Sequence, residues 1–123
     1  MSSTIRNQSV LETVLKGLGF DEDSTEYNSS QFIATILPHI NMAIGAVSQI
    51  CALINPAYVS DSSITWIDLY SGDNDEVLAL ASSDIIFRSR LLWDPPDSSY
   101  VLSAFEKRID EIDWRLSILK KEE

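Results

Sequence analysis

Apolar residues recur along most of the chain at alternating three- and four-residue steps, the period of an α-helix with one buried face. Ser9 followed by Glu12 makes a capping-box start, and Val10, Leu11, Val14, Leu15 and Leu18 place one stripe on a short first helix that Gly17 and Gly19 end. Residues 21–27 are acidic and turn-like, and Asn28, Ser29 and Ser30 offer N-caps for a second helix. From Phe32 the pattern runs through Ile33, Ile36, Leu37, Ile40, Ile44, Val47, Ile50, Cys51 and Ile54. That spacing predicts one long central helix, kinked or restarted at Pro38 and reaching Asn55-Pro56.

Between Pro56 and Gly72 the period is lost. Asp61-Ser62-Ser63 is loop chemistry, and Ile64, Trp66 and Leu69 suggest at most a short extended piece; a loop this long in a small domain often carries function. Asp73 with Glu76 reads as the cap of a third helix whose face is Val77, Ala81, Ile85 and Leu92, stopped by Trp93-Asp94-Pro95-Pro96. Ser98 or Ser99 then caps a last helix with a seam of Leu102, Phe105, Ile109, Ile112, Leu116 and Leu119. The seam calls for a packing partner, within the chain in the preferred reading and in a second chain otherwise, and Glu111 with Arg115 stands in the favourable i, i+4 order. The resulting fold class is all-α: a small antiparallel bundle of about four helices with one long loop before the third, in a single domain over residues 1–123.

Composition narrows this reading without overturning it. A chain of 123 residues, 45% of them hydrophobic, fills one core. The net charge of −10 is unevenly laid out: no Lys or Arg occurs between Lys16 and Arg88, while ten acids do, and seven of the nine basic residues fall from Arg88 to Lys121. Such a surface repels phosphate backbones and disfavours tight nucleic-acid binding. The lone Cys51 reads as a buried, reduced thiol with no disulfide or zinc partner. No apolar stretch at the N-terminus has the length of a signal peptide, which points to the cytosol. The uncharged run from Phe32 to Ile54 is nominally long enough to span a bilayer, but Pro38, His39, Asn41, Ser48 and Gln49 interrupt it and no flanking Lys or Arg anchors it, so no membrane association is expected.

Chemistry is sparse. His39, the only histidine, has no nucleophile or carboxylate at a helical step beside it and reads as a hydrogen-bonded structural residue. Acid pairs such as Asp110 with Asp113, or Asp73 with Glu76, are explained by caps and solvated faces rather than by general acid–base work or divalent-ion binding. No phosphate-binding, dinucleotide, zinc-protease or nucleophile-elbow motif occurs. No enzyme activity, cofactor or metal is expected.

The second half carries a resemblance. Arg90-Leu91-Leu92-Trp93-Asp94-Pro95-Pro96-Asp97-Ser98-Ser99-Tyr100-Val101-Leu102, then Ile109-Asp110-Glu111-Ile112-Asp113-Trp114-Arg115-Leu116, resembles the head-tail connector (head-completion, or adaptor) proteins of tailed bacteriophages. These read R-L-L-F-D-P-P-x-S-S and then end in E-L-E-W-R-L. Upstream the order is similar: Leu18-Gly19 after a short helix, Ile40-Asn41 in a long one, Thr65-Trp66 in a loop. The chain departs from the pattern with Trp93 in place of Phe, Asp113 in place of Glu, and Phe87-Arg88-Ser89 where a Lys-Val pair often precedes the arginine. Those swaps keep packing and charge roles but leave partner specificity open.

The resemblance implies a structural virion protein of the head-tail neck, made in the host cytoplasm, which forms a twelvefold ring of its own copies under the portal protein. Viral DNA would pass through without specific binding, and the lower surface would receive the next connector (stopper) or a tail protein. Arg90 to Pro96 with Ser98 and Ser99, and Trp114, Arg115 and Leu116, are then hairpin-corner and packing residues. The C-terminal segment Leu119, Lys120, Lys121, Glu122 and Glu123 is the candidate portal contact, and Asp61, Trp66, Asp68, Asp73 and Asp75 are candidate lumen or loop contacts. The alternative is a small accessory protein that dimerises through its last helix.

Overall fold

The computed structural model describes residues 2–21, 23–26 and 28–122, and side chains over 5–21, 23–26 and 28–119. It is all-α, with no strand among the described residues. A 3-10 helix, Ser2–Asn7, leads into α1, Val10–Gly17; α2 is Ser30–Ile50, α3 is the single turn Trp66–Leu69, α4 is Asp75–Trp93 and α5 is Ser99–Glu122. Four of the five α-helices make the bundle and α3 belongs to the connection before α4.

Local chemistry fixes the ends. The Ser9 hydroxyl accepts from Glu12 N, and the Ser29 hydroxyl from Phe32 N, so both early helices start where cap residues stand. α1 ends in a turn at Gly19, whose φ of 102° lies where only glycine is unstrained. α2 runs unbroken through Pro38, and ends at Ile50 rather than at Asn55. Cys51 and Ile54 keep the apolar spacing because they fold back into the core from a turn, where both are buried. The cap of α4 is Asn74, whose side chain accepts from Glu76 N and Val77 N, not Asp73.

α2 and α4 run antiparallel, since Phe32 at the start of one meets Trp93 at the end of the other. α4 and α5 form the second antiparallel pair, with Phe87 against Phe105 at one level and Glu76 bonded to Arg115 at another. α4 touches α1, α2, α5 and the 3-10 helix, so it rather than α2 is the hub. The Ile86 side chain of α4 packs directly onto Gly17 of α1, where a Cβ would lie 2.9 Å from it.

The core joins Val10, Val14 and Leu15 of α1, Ile36, Ile40, Ile44 and Val47 of α2, Val77, Leu78, Ala81 and Ile85 of α4, and Ile112, Leu116 and Leu119 of α5. The seam of α5 is thereby used within the chain; Leu102 and Phe105, near its start, are only half-buried. Leu92 does not join the α4 face and stays 42% exposed. By length and composition α2 could cross a membrane, and Ile36, Ile40, Ala43, Ile44 and Val47 of that helix are buried in this core.

The connection from 51 to 74 is packed rather than free. Asn41 on α2 donates to Val59 O (2.9 Å) and accepts from Val59 N (2.8 Å), clamping the segment along the helix. Val10 N then donates to Ile64 O, and Trp66, fully buried, donates from Nε1 to Thr13 Oγ1 at 3.1 Å. The expected extended piece is instead a helical turn, started by the Asp68 carboxylate accepting from Thr65 N at 2.9 Å.

Candidate assembly interface

At the double-proline corner each polar motif residue has a mechanical role. Arg90 Nε donates to the Asp94 carbonyl at 2.6 Å, which ties off the end of α4 just before Pro95 and Pro96 prevent its continuation. Ser98 opens α5, its carbonyl accepting from Leu102 N, and Ser99 is the first helical residue. Trp93 is not a surface group: its ring packs edge-on against Phe20 and Phe32 at 5.4 and 5.5 Å, and those two stand 5.0 Å apart. The corner is thus stapled to the ends of α1 and α2, and Leu91, half-buried, and Leu92 turn toward a shallow recess beside Met42 and Ile109.

Below the corner lies a charge cluster whose importance the sequence does not reveal. Asp84 is fully buried on α4; Arg88 donates from Nε to Asp84 (2.8 Å) and from Nη2 to Asp113 of α5 (2.7 Å). One guanidinium faces two carboxyls, and the second oxygen of each, Asp84 Oδ2 and Asp113 Oδ1, is buried without a partner. Burial first, and the neighbouring Asp113 second, push the Asp84 carboxyl up to about 8 against the opposing pull of Arg88. Burial thus favours the protonated, neutral form of Asp84 beside Arg88.

Ser89 Oγ and His39 Nδ1 are also buried without a hydrogen-bond partner. The expectation that His39 is hydrogen-bonded thus fails at Nδ1.

The proposed contact residues divide. Leu116 is in the core, while Arg115 reaches across to α4 and pairs with Glu76 at 2.9 Å, holding the Glu76 carboxyl below its usual range. Trp114 points the other way, 65% exposed. Leu119 is 4% exposed and cannot begin a free tail, since it is the last apolar residue of the α5 seam. α5 continues to Glu122; the side chains of Lys120, Lys121 and Glu122, and all of Glu123, lie outside the described residues.

Among the candidate lumen residues, Trp66 is excluded from any contact surface by its complete burial. Asp61 is exposed and held below the usual carboxylate range by the Ser63 hydroxyl and then by the Ser63 backbone N–H. Asp68 is exposed but employed as the α3 cap, Asp75 pairs with Arg6 at 2.9 Å, and Asp73 is exposed. The structure does not gather them: Asp61 lies beside the first half of α2, near the far end of α4 from Asp73 and Asp75, and that helix is about 28 Å long.

A groove of about 420 Å³ separates α1 from α2. Leu11, Leu15, Ile33 and Leu37 give it an apolar floor, and Glu12 and Asp61 stand on its rim. No His, Cys, Asp and Glu grouping that would hold a metal ion occurs among the described residues.

No curated protein and no solved structure matches the chain. A family model described as "Phage connector protein" matches residues 10–123, which takes in every helix of the bundle and the double-proline corner. The chain belongs to that phage connector family, a head-tail component of the virion.

Proposed function

We propose that this connector is a non-enzymatic adaptor that forms a ring of its own copies beneath the portal, lengthens the DNA channel and presents a docking surface to the next connector or tail protein. The observation that carries this reading is the family match over residues 10–123. The architecture supports it: the α5 seam is consumed inside the chain against α4, so α4 and α5 stand as a rigid hairpin and the outer face of α5 remains for neighbours. An accessory protein dimerising through Leu102 to Leu119 would need that same seam, and α4 already covers it from Ile109 onward.

The acidic, lysine-poor middle of the chain suits a channel through which DNA slides without adhering. Of the candidate lumen residues, Asp61, Asp68 and Asp73 are exposed, as is Asp75, which pairs with Arg6. The portal contact we propose is the last helical turn, from Lys120, because Leu119 is held in the core. Mutual repulsion between copies of charge −10 favours closure of the ring on the portal over closure in free solution.

The test is electron microscopy of tail-less capsids carrying the portal, made with and without this protein. Added density below the portal, with co-sedimentation of the chain, is the expected outcome. Particles that neither bind the chain nor gain density reject the proposal.

A further inference from the structure

The ring reading leaves open which surfaces of neighbouring copies meet, and two features answer each other. One is a projection. Trp114 lies on the side of α5 opposite its buried seam, and the same face carries Tyr100, 83% exposed, together with the exposed Lys107 and Glu111. An exposed indole in mid-helix is a large apolar area left to water, of the kind that anchors protein interfaces. The other is the α1–α2 groove, whose floor of Leu11, Leu15, Ile33 and Leu37 has no occupant within the chain and whose volume of about 420 Å³ accommodates an indole.

The two lie on different flanks of the molecule. On α4, Ile86 abuts Gly17 of α1, while Arg88, bonded to Asp84, engages Asp113 on the α5 side. With about 100° of turn per residue, the α4 residues that meet α5, Glu76, Phe87 and Arg88, point about 80° to 200° away from Ile86, so α5 lies on a different side of α4 from α1, and Trp114 is on the far face of α5. Trp114 therefore cannot reach the groove of its own chain. A projection and a recess on different flanks make a heterologous contact, the type that closes into a ring rather than a two-fold dimer.

Charge is compatible with this pairing. Asp110 and Glu111, one turn before the indole, are balanced by Lys107 and Arg108, so the projection brings no net charge to the groove. Lys107, on the same face as the indole, is the cation of opposite sign to the Glu12 and Asp61 rim, while Arg108 pairs with Glu111 at 3.8 Å.

We propose that Trp114 of one copy seats in the α1–α2 groove of the next copy around the ring; this rests on the ring reading above. Because Leu119 is held in its own core, the C-terminal seam of a neighbour is not the occupant.

The experiment uses full-length protein carrying Ser62→Cys on the groove rim and Glu111→Cys beside Trp114, assembled on portal-bearing capsids and treated with a short bis-maleimide. Both sites are exposed and the native Cys51 is fully buried. The double variant should give a ladder of products beyond the dimer, whereas each single variant gives nothing larger than a dimer. Adding Trp114→Ala, or Ala34→Glu in the groove, should abolish the ladder with helical circular dichroism unchanged, and Trp114→Phe should retain most of it. A ring visible under the portal with no ladder, or with a ladder indifferent to Trp114→Ala and Ala34→Glu, overturns this interface while leaving the ring intact. Absence of any ring overturns both.

Discussion

Asp84 shows how a single burial sets a pH response. Its carboxyl ionises near 8 in the folded chain against 3.8 for an ordinary aspartate, so between those values the folded state holds a proton that the unfolded chain has released. Stability from this group is fully present below about pH 4, declines as pH rises and is gone above about pH 8, with a slope of at most about 1.4 kcal/mol per pH unit. Urea titrations at pH 5, 7 and 9 should show that decline, and Asp84→Asn, which mimics the neutral carboxyl, should flatten it. An Asp84→Asn profile as steep as wild type would assign the effect elsewhere. Trp93 makes a second residue-scale prediction: Trp93→Ala removes one member of the three-ring cluster and should destabilise by about 3 kcal/mol in urea unfolding, while Trp93→Phe, the residue usual in the family, should lose about 1 kcal/mol. Neither role is fully legible in the sequence. Trp93 reads there as a corner residue but not as an anchor for Phe20 and Phe32, because the contact with Phe20 joins parts of the chain more than seventy positions apart. Asp84 goes unmarked in a helical run, since an acid between apolar residues reads as a solvated face until its neighbours are known.

At the scale of elements, caps and breakers are legible and the interior of the long connection is not. Ser9, Ser29 and Pro95-Pro96 act within a few residues of themselves, and the structure places their boundaries where local chemistry demands. Ile64, Trp66 and Leu69 fit neither a period of two nor one of 3.6, so a buried helical turn pinned by Thr13 and Asn55 has no periodic signature. The end of α2 is overextended by periodicity for the complementary reason: Cys51 and Ile54 keep helical spacing while lying in a turn. The seam of α5 leads to a contrast between two truncations. Removing residues 120–123 should leave the melting temperature nearly unchanged, whereas removing Leu119 as well opens the core and should destabilise by about 2–5 kcal/mol, as followed by thermal melts. Replacing Pro95-Pro96 by Ala-Ala should allow α4 and α5 to merge, raising helical ellipticity and the radius of gyration in X-ray scattering; an unaltered scattering profile would show that the prolines do not hold the corner.

For the whole molecule, the resemblance around the double proline points to the connector family independently of the fold, and the match over residues 10–123 establishes it. The proposed surfaces fare differently, since exposure is a property of the completed fold. The same Trp-Arg-Leu run places one residue in solvent, one in a cross-helix ion pair and one in the core.

The cross-helix ties between α4 and α5 also determine how the hairpin responds to force along its length. Arg88 spans to Asp113 and Arg115 to Glu76 at one axial register only. A slip of one turn, about 5.4 Å, would strip Asp113 of its guanidinium and strand a buried Asp84–Arg88 couple beside apolar side chains. Simple greasy stripes tolerate such sliding, whereas toothed ones resist it, so the hairpin behaves as a stiff strut that does not shorten under axial load.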